Sequence, residues 1–242
     1  MISKNQIKLI TSLTQKKYRK QHQLFIAEGE KVIDEILNSS FELEHLYCTQ
    51  DIFNNVESTK KSIIGESDLK KITALNTPNN CLAVFKIPVE QKIDYTGLTV
   101  VLDDIKDPGN LGTIIRLCDW FGVSQIVCSL QSVDIYNPKV VQATMGSITR
   151  VNVFYTDLEE YLNNSNAKIY GTFMEGENIY KTSLPTKNIV VFGNEANGIS
   201  KTVEKFITDK IAIPRFGNLQ STESLNVATA AAIVISEFKR NF

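Results

Sequence analysis

The chain has few of the residues that build metal sites and disulfides. Its 242 residues include four cysteines and two histidines. The cysteines form no C-x-x-C pair, and each lies in or beside an apolar run, so we expect them to be reduced core residues of a cytosolic protein. Neither histidine lies at ligand spacing from a cysteine, which argues against a zinc site. These residues are Cys48, Cys81, Cys118, Cys128, His22 and His45.

Long apolar runs are also missing. No segment approaches the roughly 18 consecutive apolar residues that a membrane-spanning helix needs. The first residues, "MISKNQIKLITSLTQKK", alternate charged and apolar side chains without an apolar centre, so we predict no signal peptide. A formal net charge of −1 excludes a globally basic nucleic-acid-binding protein but leaves local basic patches open.

Two nucleotide-binding glycine motifs are absent. The strand "TVVLDD" is not followed by G-x-G-x-x-G, and the turn "DPGNLG" is not a G-x-x-x-x-G-K-[ST] phosphate loop. The sequence therefore argues against a nicotinamide or nucleotide enzyme of the doubly wound type.

The elements that are present divide into two regions. Residues 1–90 alternate strands with helices, and the polar segment "PVEQKIDYTG" then interrupts the pattern, so we predict a first domain over 1–90, a linker over 91–97 and a second domain over 98–242. The first domain is predicted to contain strands "QLFIAEG", "LEHLYCT", "SIIGE" and "CLAVFKI" and helices "EKVIDEILNSS" and "SDLKKITAL".

The second region repeats the β-α alternation with short connections. This pattern predicts an open, mostly parallel sheet covered by helices. The predicted strands are "LTVVLDDI", "QIVCSL", "VNVFYT", "KIYGTF", "NIVVFG" and "KIAIP". The predicted helices are "LGTIIRLCDWFG", "PKVVQATMG", "DLEEYLNN", "SKTVEKFI" and "SLNVATAAAIVISEFKR".

Three polar turns follow strands of that sheet: "DPGNLG", "GNEANG" and "PRFGNLQSTESLN". Ligands of such sheets bind beyond the carboxyl ends of the strands, so the turns predict one composite site. Asn110 and Ser224 have a simpler interpretation as helix caps. Arg116 interrupts an apolar helix, where an unpaired guanidinium would be costly, so we expect it to reach a partner or a ligand.

Three segments carry a family resemblance. The motifs "NLGTIIRLCDWFG", "VVFGNEANGIS" and "IAIPRFGNLQSTESLNVATAAAIVISEF" resemble those of the SpoU (TrmH-like) family of RNA ribose 2′-O-methyltransferases, in the SPOUT superfamily. The resemblance covers most of residues 98–240. The first ninety residues resemble the substrate-binding domain of such enzymes through "KKYRKQHQLFIAEGEKVIDE". One departure is "NLQSTE", which lengthens the third motif within residues 216–223.

The resemblance implies a fold and an activity. It implies an α/β SPOUT methyltransferase domain with a C-terminal trefoil knot, preceded by a small ribosomal-protein-like α/β RNA-binding domain. The implied reaction transfers a methyl group from S-adenosylmethionine to a ribose 2′-hydroxyl in structured RNA, with rRNA favoured and tRNA possible. The implied protein is a cytoplasmic homodimer that uses no metal and no membrane.

The resemblance also assigns roles to residues. Arg116 matches the catalytic arginine, and whether it acts as base, phosphate anchor or alkoxide stabiliser stays open. The residues that match those supporting this arginine and positioning the ribose are Asn110, Glu195, Ser224 and Asn226. The residues expected to present backbone to the cofactor or to line its pocket are Gly193, Ile213, Leu225, Asn226 and Ala228.

A basic run precedes the first acidic residue, Glu28. It contains Lys16, Lys17, Tyr18, Arg19 and Lys20, which are predicted to follow a phosphate backbone and to stack on an unpaired base. The alternative is a solvated helix face. For the whole chain, the alternative to an enzyme is an RNA-binding module with an inactive methyltransferase domain; retention of the catalytic set favours the enzyme.

Overall fold

The computed structural model describes residues 2–89, 91–93, 97–185, 187–217 and 224–240. The chain forms two compact units. Unit 1 comprises residues 1–90 and 134–149, and unit 2 comprises residues 91–133 and 150–242. The segment 134–149 therefore belongs to unit 1 although it follows the first strands of the parallel sheet in sequence.

The strands and helices alternate along the chain. The strands are β1 (Leu24–Glu28), β2 (Leu43–Cys48), β3 (Lys61–Ile63), β4 (Cys81–Lys86), β5 (Thr99–Leu102), β6 (Gln125–Ser129), β7 (Asn152–Thr156), β8 (Lys168–Asn178), β9 (Asn188–Phe192) and β10 (Asp209–Ala212). The helices are α1 (Lys4–Ser12), α2 (Lys16–His22), α3 (Glu30–Leu37), α4 (Glu66–Ile72), α5 (Pro108–Trp120), α6 (Pro138–Thr144), α7 (Leu158–Asn163), α8 (Lys201–Glu204) and α9 (Val227–Lys239). Each strand and helix predicted from the sequence is present. However, β8 continues to Asn178 beyond the predicted "KIYGTF", α8 is shorter than the predicted "SKTVEKFI", and α1 and α2 were not predicted.

Unit 1 contains a mixed sheet in the order β1-β4-β2-β3. Strand β4 is antiparallel to both β1 and β2, and β2 is parallel to β3. Successive side chains of a strand point to opposite faces. On one face, Ile26 and Val84 pack with residues of α1 and α4. On the other, Phe25 stacks on Phe85 at 5.7 Å between ring centroids, and Tyr136 lies 4.9 Å from Phe25. The segment 134–149 thus helps to bury the second face of this sheet.

Unit 2 contains a parallel sheet of six strands in the order β10-β8-β9-β5-β6-β7. The central strands β5 and β9 are buried along their whole length, as expected when helices cover both faces. Ile169 packs in a core with α7 and α8, whereas the next residue, Tyr170, meets Phe238 of α9 edge-on at 5.3 Å. The mostly parallel α/β architecture predicted from the sequence is confirmed.

The strand order places a crevice beside β5. From β5 the chain proceeds to β6 and β7 on one side, and later returns through β8 to β9 on the other side of β5. Connections on either side of a strand leave a crevice at its carboxyl end, where ligands of open α/β sheets bind. The turns after β5 and β9 therefore meet at this end of the sheet.

Candidate functional site

The candidate site begins where β5 and β9 end side by side. Leu102 pairs with Phe192 in the parallel register, and the backbone N–H of Asp103 donates to the carbonyl oxygen of Phe192 at 2.9 Å. The turn after β5 leads into α5, and the turn after β9 carries Glu195. The start of α9 supplies the third part of the site, at Asn226.

A chain of hydrogen bonds joins these three segments. Asn110 donates from Nδ2 to Oε1 of Glu195 at 2.6 Å, and Asn226 donates from Nδ2 to Oδ1 of Asn110 at 2.9 Å. The side-chain oxygen of Asn226 accepts from the backbone N–H groups of Ala228 and Thr229. Three of the five residues expected to be catalytic are therefore connected, although they come from three separate turns.

The helix caps differ from the simpler sequence interpretation. Helix α5 is capped by Asp107, whose Oδ1 accepts from the backbone N–H of Asn110 at 2.8 Å. Helix α9 is capped by Asn226, whereas Ser224 is exposed and makes no hydrogen bond with a described residue. The interpretations of Asn110 and Ser224 as helix caps are therefore wrong. The side chain of Asn110 is left to bridge Glu195 and Asn226.

Arg116 lies in a different environment from the one predicted. Its side chain is exposed and has no ion pair or hydrogen bond with any residue that the structure describes. The apolar neighbours Ile114, Ile115 and Cys118 face the core, whereas Arg116 lies on the exposed side of α5 together with Trp120, which is 84% exposed. The expectation that an unpaired guanidinium would be costly at this position is therefore wrong, because the position is exposed. That Arg116 reaches a ligand stays a prediction.

Helix geometry also separates Arg116 from the hydrogen-bonded chain. Each helical residue turns the direction by about 100° and advances by about 1.5 Å. Arg116 comes six residues after Asn110, so it lies about 9 Å further along α5 and about a third of a turn away around it. The described residues of unit 2 thus bring Asn110, Glu195 and Asn226 together but do not join Arg116 to them.

A cavity of about 970 Å³ lies beside the turn after β9. Its apolar wall comes from β9, β10 and α9. The exposed side chains of Phe216 and Leu225 also line the cavity. Three residues predicted to contact the cofactor line this cavity: Gly193, Ile213 and Leu225. Glu195 lines it as well. Ligand pockets typically measure about 300–1,000 Å³ and combine apolar walls with a few polar groups, and this cavity is of that kind.

Two residues expected at the cofactor do not line the cavity. Ala228 is buried, with 6% of its surface exposed. The side chain of Asn226 donates to Asn110 and accepts from backbone N–H groups at the start of α9. Within the lengthened third motif, residues 218–223 lie outside the described residues.

Position 193 requires glycine because the backbone of residues 198 and 199 passes very close to it. A Cβ at this position would lie 2.1 Å from the carbonyl carbon of Gly198 and 2.2 Å from the nitrogen of Ile199. The two ends of the turn are paired, because Asn194 and Gly198 exchange backbone hydrogen bonds of 3.0 and 2.8 Å. Backbone atoms therefore form this wall of the cavity, and any side chain at Gly193 would displace it.

Sequence reasoning missed three residues that hold this turn. The carboxylate of Asp103 accepts from the backbone N–H of Ser200 at 2.8 Å. The carbonyl oxygen of Asp104 accepts from Nδ2 of Asn194 at 2.8 Å, and Asp104 has a left-handed backbone with φ of 60°. Asn194 belongs to the turn "GNEANG", but neither its partner nor the conformation of Asp104 can be derived from local sequence.

The basic run on α2 is exposed in part. Lys16, Lys17 and Lys20 are exposed, and the ammonium of Lys17 lies 5.8 Å from the ring centroid of Tyr18, which is half-buried. These positions suit contact with a polyanion.

Arg19 does not belong to that surface. It is 2% exposed, and its guanidinium contacts Oδ2 of Asp134 through Nε at 3.0 Å and through Nη2 at 2.5 Å. A further bond of 2.8 Å reaches the carbonyl oxygen of Leu13. The prediction that Arg19 contacts RNA is therefore wrong, because its donors are engaged inside unit 1. The partner is 115 residues away in sequence, so no local pattern indicates it.

The four cysteines are free and buried. Burial raises the pKa of Cys48 to about 11 and that of Cys81 to about 12, and it also raises the pKa of Cys118 and of Cys128. Among the residues described, no group of three or more His, Cys, Asp or Glu side chains is placed to hold a metal ion. No described helix is long and apolar enough to cross a membrane.

Comparison with known proteins shows which families and solved structures this chain resembles. The model of the SpoU rRNA Methylase family matches residues 97–236, and that of the MRM3-like substrate binding domain matches residues 4–83. The 23S rRNA (guanosine(2553)-2′-O)-methyltransferase RlmP of Bacillus subtilis is 29% identical over 96% of both chains. A protein of Porphyromonas gingivalis assigned to the TrmH family of RNA methyltransferases has a structure with a TM-score of 0.90 at 38% identity over 100% of both chains. An AdoMet-bound rRNA methyltransferase of Sinorhizobium meliloti has a TM-score of 0.86 at 26% identity, covering 100% of this chain and 97% of its own.

Proposed function

The chain belongs to the SpoU rRNA Methylase family, and from that membership we propose that it transfers a methyl group from S-adenosylmethionine to the 2′-hydroxyl of a ribose in structured RNA. Ribosomal RNA is the favoured substrate and transfer RNA the second candidate. The observation that carries the proposal is the hydrogen-bonded chain Glu195–Asn110–Asn226, which begins at a residue lining the cavity of about 970 Å³.

The cavity fits S-adenosylmethionine in size and chemistry. Its apolar wall suits an adenine ring, and the backbone around Gly193, Ile213 and Leu225 offers donors and acceptors to the base and ribose. Asn226 supports that wall indirectly, because its side chain accepts from the backbone N–H of Ala228 and so caps α9, which supplies part of the wall. Bound S-adenosylmethionine would supply an already activated methyl group to the ribose oxygen; S-adenosylhomocysteine would leave as the neutral thioether, and the hydroxyl proton would pass to a base or to solvent.

Orientation is then the main task of the protein. Holding two reactants in line can contribute about 7–11 kcal/mol to lowering a barrier. Asn110, Glu195 and Asn226 form a connected polar surface that can hold ribose hydroxyls, and Ser224 lies exposed two residues before Asn226. Glu195 can accept a hydrogen bond from a hydroxyl while Asn110 keeps its carboxylate in place.

Arg116 is the proposed catalytic cation. Because it has no partner among the described residues, all five of its N–H donors are available to RNA. It can hold a phosphate next to the reacting ribose, stabilise the developing alkoxide, or assist removal of the proton. A guanidinium aimed at a developing negative charge is worth most in the transition state, so its removal should affect the rate more than cofactor binding.

The chain is proposed to work as a homodimer that includes α9 in its interface. Thr229, Ala232, Ile233 and Ser236 form an incompletely buried stripe on α9, and its small residues permit close approach of a second helix. Trp120 on α5 is also exposed and adds to the apolar surface that a second protomer would cover. A monomer in light scattering at micromolar concentration would contradict this part of the proposal.

The roles proposed for the two domains follow the two matched family models. Residues 1–90 form a ribosomal-protein-like RNA substrate-binding domain, residues 91–97 a linker, and residues 98–242 the methyltransferase domain with a C-terminal trefoil knot. Lys16, Lys17, Lys20 and Tyr18 supply RNA contacts from the first domain. We propose a cytoplasmic location, which free buried cysteines support because thiols stay reduced there.

Methyl transfer to defined RNAs tests the function. Purified protein is incubated with labelled S-adenosylmethionine and with either ribosomal or transfer RNA, and the modified nucleotide is mapped by resistance of its 3′ phosphodiester to alkali. Calorimetry measures cofactor binding in parallel. Ribose methylation that appears only with the intact protein supports the proposal. RNA binding without cofactor binding or transfer would favour the alternative, an RNA-binding module with an inactive methyltransferase domain.

A further inference from the structure

Both ends of the turn that carries Glu195 are attached to the end of β5. At the beginning of the turn, Nδ2 of Asn194 donates to the carbonyl oxygen of Asp104 at 2.8 Å. At its end, the backbone N–H of Ser200 donates to Oδ2 of Asp103 at 2.8 Å. Asp103 is 5% exposed, so its bond to Ser200 comes from a buried position. The position of the turn is thus set by two consecutive residues of the neighbouring strand end.

The Asp104 anchor is itself fixed by the next strand. Its φ of 60° is a left-handed conformation, which residues with a Cβ adopt far less often than glycine does. The backbone N–H of Asp104 donates to Oγ of Ser129, at the end of β6, at 2.9 Å. The direction of the Asp104 carbonyl is therefore determined by β6 as well as by β5. Such strained backbone persists where the surroundings enforce it and is typical of functional sites.

Asn194 uses its two side-chain atoms for different tasks. Its Oδ1 accepts from the backbone N–H groups of Ala196 at 2.9 Å and Asn197 at 3.2 Å, which shapes the turn internally. Its Nδ2 connects the turn to Asp104. Glu195, the next residue, is exposed, and within the described chain the carboxylate has its 2.6 Å contact with Asn110. An exposed carboxylate keeps such a contact only if its backbone is held.

We propose that Asn194 is a positioning residue, which through its bond to the Asp104 carbonyl holds Glu195 against Asn110 and keeps the backbone wall of the cavity in place. The expected loss of rate on removing Asn194 rests on the proposed methyl transfer. The expected loosening of the turn when this amide is removed does not depend on methyl transfer.

Three variants separate the two tasks of Asn194. Asn194→Ala removes both the anchor and the internal bonds. Asn194→Asp keeps an acceptor for the internal bonds but loses the Nδ2 donor. Asn197→Ala is the matched control, because this exposed side chain lies in the same turn and makes no hydrogen bond with a described residue.

Hydrogen exchange on the ligand-free protein gives the first measurement. Peptides covering residues 193–200 should exchange about tenfold or more faster in Asn194→Ala than in the parent protein, since a hydrogen-bonded amide loses its protection when its turn opens. Asn197→Ala should exchange like the parent protein. Equal exchange in Asn194→Ala and Asn197→Ala would overturn the proposal, whether or not the protein transfers methyl groups.

Single-turnover methyl transfer gives the second measurement. Asn194→Ala should react about 10- to 100-fold more slowly per folded molecule, the range expected when one partly buried hydrogen bond is lost and the Asp104 carbonyl is left without that partner. In Asn194→Asp the rate relative to the parent protein should recover as the pH falls, because a protonated carboxyl can again donate to the Asp104 carbonyl. Identical pH profiles for the two variants, or a normal rate in Asn194→Ala, would contradict the positioning role. A parent protein without methyl transfer would instead remove the proposed function and leave the exchange result to decide on Asn194.

Discussion

Two arginines, one in each unit, have opposite environments, and both differ from what the surrounding sequence suggests. Arg19 lies in the polar helix α2, "KKYRKQH", yet it is 2% exposed and paired with Asp134. Arg116 lies in the apolar helix α5, yet it is exposed and has no partner among the described residues. The composition of a helix therefore does not determine whether one of its charged residues is buried. Its angular position and the element packed beside it do.

This contrast predicts different consequences for the two side chains. A buried guanidinium with a carboxylate partner should matter for folding. An exposed guanidinium beside a candidate active site should matter for reaction and little for folding. The variants below test that separation, beginning with the largest expected effect.

Removal of Arg19 should strongly destabilise the protein. Arg19→Met leaves Asp134 partly buried without its partner, and breaking a buried pair in this way typically costs about 3–5 kcal/mol in the free energy of unfolding. Chemical denaturation followed by circular dichroism measures the loss. The double variant Arg19→Met, Asp134→Leu is the control, because it removes both charges and should recover a large part of the stability. A loss below about 1 kcal/mol would show that the pair is not buried in solution.

Removal of Arg116 should slow the reaction while the fold stays intact. Arg116→Ala is expected to reduce single-turnover methyl transfer by about a hundredfold or more, the scale of losing one preorganised electrostatic group. Cofactor affinity in calorimetry and the melting temperature should change little, because Arg116 makes no hydrogen bond or ion pair with a described residue. Arg116→Lys tests whether charge alone suffices. A large drop in melting temperature with a near-normal rate per folded molecule would reverse the contrast between the two arginines.

Neutralising the exposed lysines of α2 should weaken RNA binding by a smaller factor. Replacing Lys16, Lys17 and Lys20 together by Gln should lower RNA affinity and reduce the salt dependence of binding by about 0.7–0.9 for each phosphate that the variant no longer neutralises. Filter binding at several salt concentrations measures both quantities. Lys31→Gln is the control, since this lysine is exposed on α3 of the same unit. An unchanged salt dependence would indicate that α2 presents only a solvated face.

The smallest expected effect concerns a buried acid of unit 1. Burial raises the pKa of Glu28, although Thr73 and the backbone N–H of Ala74 donate to its carboxylate. A raised pKa in the folded state means that the contribution of Glu28 to stability is present below the unfolded-state pKa and is lost as the pH rises through the folded-state value. Glu28→Gln does not titrate, so its free energy of unfolding relative to the parent protein should increase from about pH 4 to about pH 7. A pH-independent difference would show that the folded-state pKa of Glu28 is not raised.

The sequence predicted the secondary structure from β1 onward and the meeting of the three turns, because both follow from local rules. Nearly continuous apolar runs marked β5 and β9, and the order of strands and helices indicated a parallel sheet with a shared carboxyl edge. That edge is where Glu195, Asn110 and Asn226 become connected. The family resemblance then supplied the roles that the polar residue types alone leave open.

Local patterns were thus enough to establish the type and order of the elements, the region in which a ligand site forms, and the family. Three-dimensional packing was needed to establish which charges are buried, which residues cap α5 and α9, and how the turn around Glu195 is held. Arg19 and Asp134 are 115 positions apart, and Asn194 and Asp104 are 90 apart. Periodicity and turn chemistry act over a few residues, whereas burial and hydrogen-bond pairing depend on which distant segments the completed packing brings into contact.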